Sequence, residues 1–164
     1  MAYTVIRTDL MSGTKQPADL VSLRFYNGSN AVAEVENGTI VELKGLENGQ
    51  REVRKAVAAT STSKLENCAV VAGVEVMYDD RKKNLDEFVN EAGKATRGYR
   101  TREGNVFSVT KEGFVGAVPA KDGAVGIGAN GKLDSAGTGF GKCIAIETAG
   151  RYTYYVIEID ATKA

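Results

Sequence analysis

The sequence predicts an all-β fold, a compact antiparallel β-barrel or sandwich with one short α-helix. Apolar and polar residues alternate over short runs, β-branched and aromatic residues concentrate in those runs, and Gly, Asn and Asp separate them. The 164 residues, 43% hydrophobic and 26% charged, are enough to bury a core and have the composition of a soluble globular domain. We therefore expect one β-rich domain over residues 17–164, preceded by a flexible N-terminal arm over residues 1–16.

Asn-Gly pairs mark the first predicted turns. Residues 31–43 form two alternating runs around Asn37-Gly38, which predicts a β-hairpin because both residues tolerate the positive φ of a tight turn. A second pair, Asn48-Gly49, separates this hairpin from a third alternating run. The first third of the domain is therefore predicted to be a meander.

The most apolar run predicts a central strand. Residues 68–78 alternate with a period of two, which divides them between two faces. One face has Val70, Ala72, Val74, Val76 and Tyr78, and the other has Val71, Gly73, Glu75 and Met77. Further strands are predicted at residues 105–110, 123–128, 142–148 and 152–159. An Ala-Gly pair joins the last two, which predicts a hairpin.

One segment has helical periodicity. Its apolar residues recur at intervals of three and four, at Leu85, Phe88, Val89 and Ala92. Asn84 can cap the first turn, Glu87 stands three residues later, and Gly93 can end the helix. The predicted α-helix is only about two turns long, so it depends on packing against the sheet.

Composition counts against several classes of function. The chain has no histidine, the commonest general base and transition-metal ligand. Its 21 basic and 21 acidic residues balance, so we expect no general attraction to nucleic acid or to anionic membranes. No apolar run approaches the roughly 20 residues that cross a bilayer, and no secretory signal pattern begins the chain, which predicts synthesis in the cytosol. Cys68 and Cys143 lie in apolar runs and are predicted to be buried, with their pairing left open.

Residues 126–132 imitate a phosphate-binding loop. They match the first seven positions of G-x-x-x-x-G-K-[ST], but Leu133 stands where that motif needs a hydroxyl. The residues that follow cannot form the helix whose N-terminus such a loop uses. We interpret the segment as a turn at Asn130-Gly131, and we predict no cofactor.

Two alternatives remain open in the sequence. Carboxylates at Asp79, Asp80 and Glu87 could serve acid–base chemistry, although a solvated turn is the better interpretation. The last predicted strand carries aromatic rings at Tyr152, Tyr154 and Tyr155. These rings could form a core wall, a subunit contact or a sugar-stacking platform. The last possibility would make the protein a small-ligand or carbohydrate-binding module of a tail or surface assembly.

Three short segments are considered together, residues 36–43 (ENGTIVEL), 104–114 (GNVFSVTKEGF) and 131–133 (GKL). Together they resemble segments of small structural proteins of tailed bacteriophages, above all head decoration, or cement, proteins. The resemblance implies a non-enzymatic virion protein that binds the outside of the assembled capsid and stabilises contacts between major capsid subunits. It also implies the major capsid protein as partner, synthesis in the host cytoplasm, and a homo-oligomer, since such proteins are often trimers.

Two segments offer candidate contacts to such a partner. The N-terminal arm could add to a neighbouring sheet. The segment from Arg97 to Arg102, interpreted as a polar loop, combines Arg and Tyr side chains, which are enriched at interface hot spots. The candidate partner-binding residues are Tyr3, Val5, Arg7, Arg97, Tyr99, Arg100 and Arg102. No catalytic or metal-binding residue is predicted.

Overall fold

The computed structural model describes residues 2–11, 19–79, 81–82 and 84–160. Within these ranges the predicted all-β fold is confirmed, since the regular structure consists of ten strands and short 3-10 turns. The strands form a closed barrel and a second sheet. None of the helical turns in these ranges is long and apolar enough to span a membrane.

Five strands close the barrel. They are β1 (Leu20–Tyr26), β2 (Ile40–Leu46), β3 (Val53–Ala58), β4 (Cys68–Val71) and β5 (Thr96–Arg100). The order around the barrel is β1-β3-β2-β4-β5, and β5 pairs with β1 to complete the ring. β1 and β3 are parallel, whereas the other neighbours are antiparallel. Closure removes free edges along the paired lengths of these strands.

The second sheet also has five strands. They are β6 (Val106–Val109), β7 (Ala124–Ile127), β8 (Leu133–Asp134), β9 (Gly141–Ala149) and β10 (Tyr152–Ile159). Their order is β6-β10-β9-β7-β8, and all neighbours are antiparallel. The four strands predicted beyond residue 104 are therefore present, as β6, β7, β9 and β10.

Two apolar cores stabilise these layers. The barrel interior holds Val21, Leu23, Val41, Leu43, Ala56, Ala69 and Val71. A second core is shared by the barrel and the second sheet and includes Ile40, Val70, Phe107, Val109, Leu133 and Ile157. Neighbouring residues of β2 and β4 thus contribute to different cores, which follows from the alternation of side chains along a strand.

Three predicted turns are confirmed. Gly49 lies between β2 and β3 with φ of 72°, and Gly150 joins β9 to β10 with φ of 60°. Asn130 and Gly131 connect β7 to β8 with φ of 57° and 70°. Glycine and asparagine are favoured at these positions because other side chains are strained at positive φ.

The hairpin predicted over residues 31–43 is wrong. Val32 forms a bridge with Tyr26, and Val35 forms one with Asn90, so neither belongs to a strand paired with β2. The turn itself forms, with Gly38 at φ of 82° and the Thr39 N–H donating to the Glu36 carbonyl at 3.4 Å, but its two sides pair with distant segments instead of with each other.

The predicted α-helix is also wrong. Only Leu85–Glu87 forms a 3-10 turn, and the backbone is extended at Phe88, with φ of −82° and ψ of 135°. The predicted cap is present, because the Asn84 N–H donates to Glu87 Oε2 at 2.9 Å. The chain then pairs with Val35 through Asn90 instead of continuing a helix that would be marginal at this length.

The described part of the predicted arm, residues 2–11, packs along β6. Val5 and Ile6 are buried, and Ile6 forms an antiparallel bridge with Val109. The Val5 N–H donates to Thr110 Oγ1 at 3.1 Å, and the Thr110 N–H donates to the Val5 carbonyl at 3.0 Å. Residues 12–16 of the arm lie outside the described residues.

Candidate docking face

The strand predicted over residues 68–78 ends early, and this ending creates the candidate site. β4 stops at Val71, so the prediction is correct only for its first four residues. Gly73 then bonds to a side chain instead of a strand. Its N–H donates to Asn37 Oδ1 at 2.8 Å, and its carbonyl accepts from Asn37 Nδ2 at 3.0 Å. From Val74 onward the chain leaves the barrel wall.

A buried polar network holds this point of departure. Asn90 Nδ2 donates to Asn37 Oδ1 and to the Val35 carbonyl, both at 2.9 Å, and Thr96 Oγ1 donates to Asn90 Oδ1 at 2.6 Å. A Cβ on Gly73 would lie only 2.0 Å from Asn90 Oδ1, which explains the glycine. Because satisfied buried networks are rigid, the first residues of the departing chain have a defined position.

Beyond this network lies an open groove. Residues 76–79, 87–91 and 94–97, together with Gly73 and Val74, line most of it, and its volume is about 1020 Å³. We call this cavity the groove, and we call residues 74–78 the departing segment. Three side chains of the departing segment line the groove and remain exposed, Val74 by 57%, Val76 by 51% and Tyr78 by 89%. Their apolar surface has no cover in the described part of the chain.

The backbone of the departing segment is largely unpaired. The Val76 N–H donates to the Val74 carbonyl at 2.9 Å. The N–H groups of Val74, Glu75, Met77 and Tyr78 have no hydrogen-bond partner among the described residues. The Val74–Val76 bond is a γ-turn centred on Glu75. The unpaired N–H groups on either side of it can donate to an added extended chain.

The acidic side chains at the groove have partners. Asp79 forms an ion pair with Arg81 at 2.9 Å, and Glu91 forms one with Lys94 at 2.7 Å. These hydrogen bonds lower the pKa of Asp79 and the pKa of Glu91 below their ordinary values. Glu87 also lines the groove, and its Oε2 accepts from the Asn84 backbone N–H at 2.9 Å and from Asn84 Nδ2 at 3.3 Å. All three groove carboxylates are therefore engaged within the chain.

Two cations at the groove differ in this respect. Lys82 and Arg97 both line it, and neither forms an ion pair within the described part of the chain. Both residues are exposed. The charge of Lys82 also lowers the pKa of Asp79 and of Glu91, so it is partly balanced by these acids, and Arg97 is the groove cation that a partner can still engage.

The structure places the three candidate residues of the arm beside the second sheet. The Tyr3 N–H donates to the Asp86 carbonyl at 2.9 Å, Val5 is 1% exposed, and the Arg7 guanidinium lies 5.5 Å from the centre of the Tyr154 ring. None of the three lines the groove. Their contact with a partner stays a prediction.

The loop predicted from Arg97 to Arg102 is mostly a strand, so that prediction is wrong. Arg97, Tyr99 and Arg100 belong to β5, where pairing with β1 and β4 fixes them in the barrel wall. Tyr99 packs against the shared core, and Arg102 forms an ion pair with the buried Asp19. Of the seven candidate residues, Arg97 lines the groove. Partner binding by these four residues also stays a prediction.

The exposed residues of the departing segment were missed as candidates for contact. Their alternation was visible in the sequence, but it was assigned to a central strand. Gly73 was the available signal, because a glycine inside an apolar run often marks the end of regular pairing or a close backbone approach.

The three C-terminal tyrosines do not share one exposed surface. Tyr154 is 3% exposed, and the Tyr155 ring packs against Phe114 with ring centres 5.4 Å apart. The Tyr152 hydroxyl donates to Asp86 at 3.1 Å. Two of the rings are thus engaged in packing and the third in a polar contact.

The remaining candidates for chemistry are also engaged. Lys132 Nζ donates to Glu36 at 3.2 Å and to the Glu112 carbonyl at 2.9 Å, which agrees with a structural turn at residues 126–132. Asp80 lies outside the described residues. In the ranges that the structure describes, no three Cys, Asp or Glu side chains come together as a metal site.

Both cysteines are free and buried, as predicted for their side chains. Burial raises the pKa of the Cys68 thiol to about 11 and also raises the pKa of Cys143. A thiol must ionise to act as a nucleophile, so neither group is poised for that role at neutral pH.

Comparison of the chain with protein-family models, curated proteins and solved structures gives no match. The groove and the exposed side chains of the departing segment are therefore the features that indicate a function.

Proposed function

We propose that this chain is a non-enzymatic decoration protein that binds the outer surface of an assembled viral capsid and stabilises contacts between major capsid subunits. The observation that carries the proposal is the departing segment, which exposes apolar side chains and an unpaired backbone on a compact β domain. Such a segment is suited to docking on another protein. The resemblance of residues 36–43, 104–114 and 131–133 to phage decoration proteins supports a capsid as that partner.

The side-chain chemistry supports binding over catalysis. The sequence contains no histidine, and both of its thiols are buried with raised pKa values. Asp79 and Glu91 are held in ion pairs that lower their pKa values, which is unfavourable for a general base at neutral pH.

Repetition of the binding site would strengthen a modest contact. A homo-oligomer, for example a trimer, could engage several equivalent capsid sites at once, and linked binding events raise the overall affinity without new contacts. We therefore include homo-oligomerisation on the capsid exterior in the proposal, after synthesis in the host cytoplasm.

Co-sedimentation tests this function. Purified protein is mixed with undecorated capsids of the virus that encodes it, and the unassembled major capsid subunits serve as the control. We expect saturable binding to the capsids at a copy number commensurate with the lattice, and little binding to free subunits. Lack of co-sedimentation with capsids in any assembly state would contradict the proposal.

A further inference from the structure

We propose that the groove binds an extended segment of a partner protein that adds as a strand along the departing segment. The partner segment would carry apolar side chains at alternate positions and at least one carboxylate. The inference deepens the proposed function and rests on it, because it takes docking on a protein as the task of this chain.

The backbone of the departing segment provides the first argument. Four of its N–H groups have no partner among the described residues, whereas the N–H groups of Val71, Ala72 and Gly73, just before it, all donate hydrogen bonds. In strand addition, main-chain hydrogen bonds supply affinity and pockets for alternate side chains supply specificity. The departing segment offers the first, and the groove beside it offers the second.

The exposed side chains provide the second argument. Val74, Val76 and Tyr78 recur at a spacing of two and line one groove. A strand that lies in the groove presents its own side chains with the same period, so apolar residues at alternate positions would cover all three. The groove volume of about 1020 Å³ lies at the upper end for ligand pockets and can take several residues.

Charge identifies the polar part of the partner. The groove acids Asp79 and Glu91 are already paired with Arg81 and Lys94, and Glu87 accepts from Asn84. Among the described residues Arg97 forms no ion pair, so a carboxylate on the partner would complement it, and arginine can bind a carboxylate through two parallel hydrogen bonds. An added cation would meet like charge instead.

The same charges argue against a second copy of this chain as the occupant. A two-fold contact brings identical patches together. The groove carboxylates Asp79, Glu87 and Glu91 are already engaged within each copy, so a second copy could offer a carboxylate to Arg97 only by breaking one of its own contacts. A chemically different segment that carries a carboxylate fits the groove better.

The docking position is organised before binding. Asn37 holds both backbone groups of Gly73, and Asn90 and Thr96 complete the network under the groove. Binding then has to order only residues beyond Gly73, which lowers its entropic cost.

A peptide selection tests the inference. Purified protein is used to select from a library of random peptides of about ten residues, the upper length of common strands. We expect enrichment of sequences with alternate apolar residues and an Asp or Glu. An enriched peptide is then synthesised with its acid intact and with that acid replaced by its amide, and affinity is measured by fluorescence anisotropy.

Variants of the chain assign the binding site. Val76→Ser should weaken peptide binding about tenfold because it removes apolar contact, and Tyr78→Ser should act in the same direction. Leu46→Ser is the matched control, since Leu46 is 50% exposed and does not line the groove. It should leave affinity within about twofold. Thermal unfolding confirms that each variant is folded.

Arg97→Ala tests the charge. It should weaken binding of the acidic peptide by about twofold to fivefold and leave the amide peptide unchanged. Arg51→Ala provides the control, because Arg51 is exposed and does not line the groove. Equal losses for the acidic and amide peptides would contradict the proposed role of Arg97.

Three outcomes would overturn the inference. They are the absence of any enriched peptide, unchanged binding by both Val76→Ser and Tyr78→Ser, and a dimer in analytical ultracentrifugation that Val76→Ser dissociates. The capsid experiment separates this inference from the proposed function. If Val76→Ser and Tyr78→Ser bind capsids as the unaltered chain does, only the inference fails, whereas peptide binding without capsid binding contradicts only the capsid proposal.

Discussion

At the scale of single residues, Glu75 occupies an unusual position. It lies in the departing segment between Val74 and Val76 but is half-buried, whereas both valines are exposed. Burial raises the pKa of its carboxyl, and a long hydrogen bond of 3.4 Å from Asn37 Nδ2 offsets part of this effect. Glu75 therefore links the protonation state of the protein to the network below the groove.

Glu75→Gln should reduce the loss of stability as pH rises. The pKa of Glu75 is raised in the folded protein, so the native state holds this proton more tightly than the unfolded chain does. The stability that comes from the protonated carboxyl is therefore lost as pH rises from the unfolded pKa of about 4.3 through the raised folded pKa. Glutamine keeps an acceptor for Asn37 but does not ionise. We therefore compare the free energy of unfolding of the variant with that of the original chain. The difference should favour the variant more at pH 7 than at pH 4, and urea unfolding at the two pH values measures it.

Glu91→Gln is the control for this pH dependence, because Lys94 lowers the pKa of Glu91. A carboxylate whose pKa is lowered in the folded state stabilises the fold at pH values above its unfolded pKa, and this stability is lost in acid. Glu91→Gln should therefore lose stability relative to the original chain at pH 7 compared with pH 4, which is the opposite sign to Glu75→Gln. Equal pH profiles for the two variants would show that the environment of Glu75 is not as described.

At the scale of elements, the chain around Asn37 decides where β4 ends. Its side-chain amide takes the place of a neighbouring strand for Gly73, and Asn90 and Thr96 support it from the other side. Because the two backbone groups of Gly73 are satisfied by a side chain, the following residues are not required to stay in the sheet. The groove forms because the Asn37 side chain replaces a neighbouring strand at Gly73.

Asn37→Ala should lower the free energy of unfolding by about 3 kcal/mol, since it leaves Gly73 and the Asn90 amide with buried groups that lack partners. Asn27→Ala is the matched control. Asn27 Oδ1 accepts from the Ser29 and Ala31 N–H groups in an exposed turn, where water can replace it, so its loss should cost less than about 1 kcal/mol. Urea unfolding measures both values, and similar costs would contradict the role assigned to Asn37.

At the scale of the whole molecule, the barrel and the second sheet meet over a shared core. Ile40 and Val70 of the barrel pack in the same cluster as Phe107 and Ile157 of the second sheet. Phe107 also makes an edge-on contact with Phe140, with ring centres 6.2 Å apart. The two layers should therefore unfold together.

Gly131 tests the fit between the layers. It lies in the turn from β7 to β8, and a Cβ there would approach the Ile40 carbonyl oxygen of β2 to 2.1 Å. Gly131→Ala should cost about 3 kcal/mol, from strain at a φ of 70° and from the displaced contact with β2.

Gly49→Ala isolates the contribution of the backbone. Gly49 has nearly the same φ, 72°, but open space around its Cβ position, so only strain of about 1 kcal/mol is expected. Chemical unfolding should show a single transition in both variants. Equal costs would indicate that the layers do not fit closely at Gly131, and two transitions would indicate that they unfold independently.

Only those features of the candidate site that depend on local backbone geometry could be predicted from the sequence. Alternation in residues 68–78 grouped Val74, Val76 and Tyr78 with Val70 and Ala72 on one face of a central strand. Val70 and Ala72 are buried in the shared core, whereas the other three are exposed. That the chain divides in this way at Gly73 could not be predicted, because it depends on Asn37, 36 positions away from Gly73 in the chain. Arg97 was a candidate from its residue type, but its place in β5 depends on pairing with two other strands.

The sequence by itself determined the all-β class, most strand positions and the turns at Gly49, Asn130-Gly131 and Gly150, because these depend on short-range periodicity and on tolerance of positive φ. Only the tertiary structure decided that the Asn37 turn is not a hairpin and that residues 85–93 are not a helix. In both places, bonds between distant segments outweigh marginal local preferences. The same long-range bonds end β4 at Val71 and open the groove.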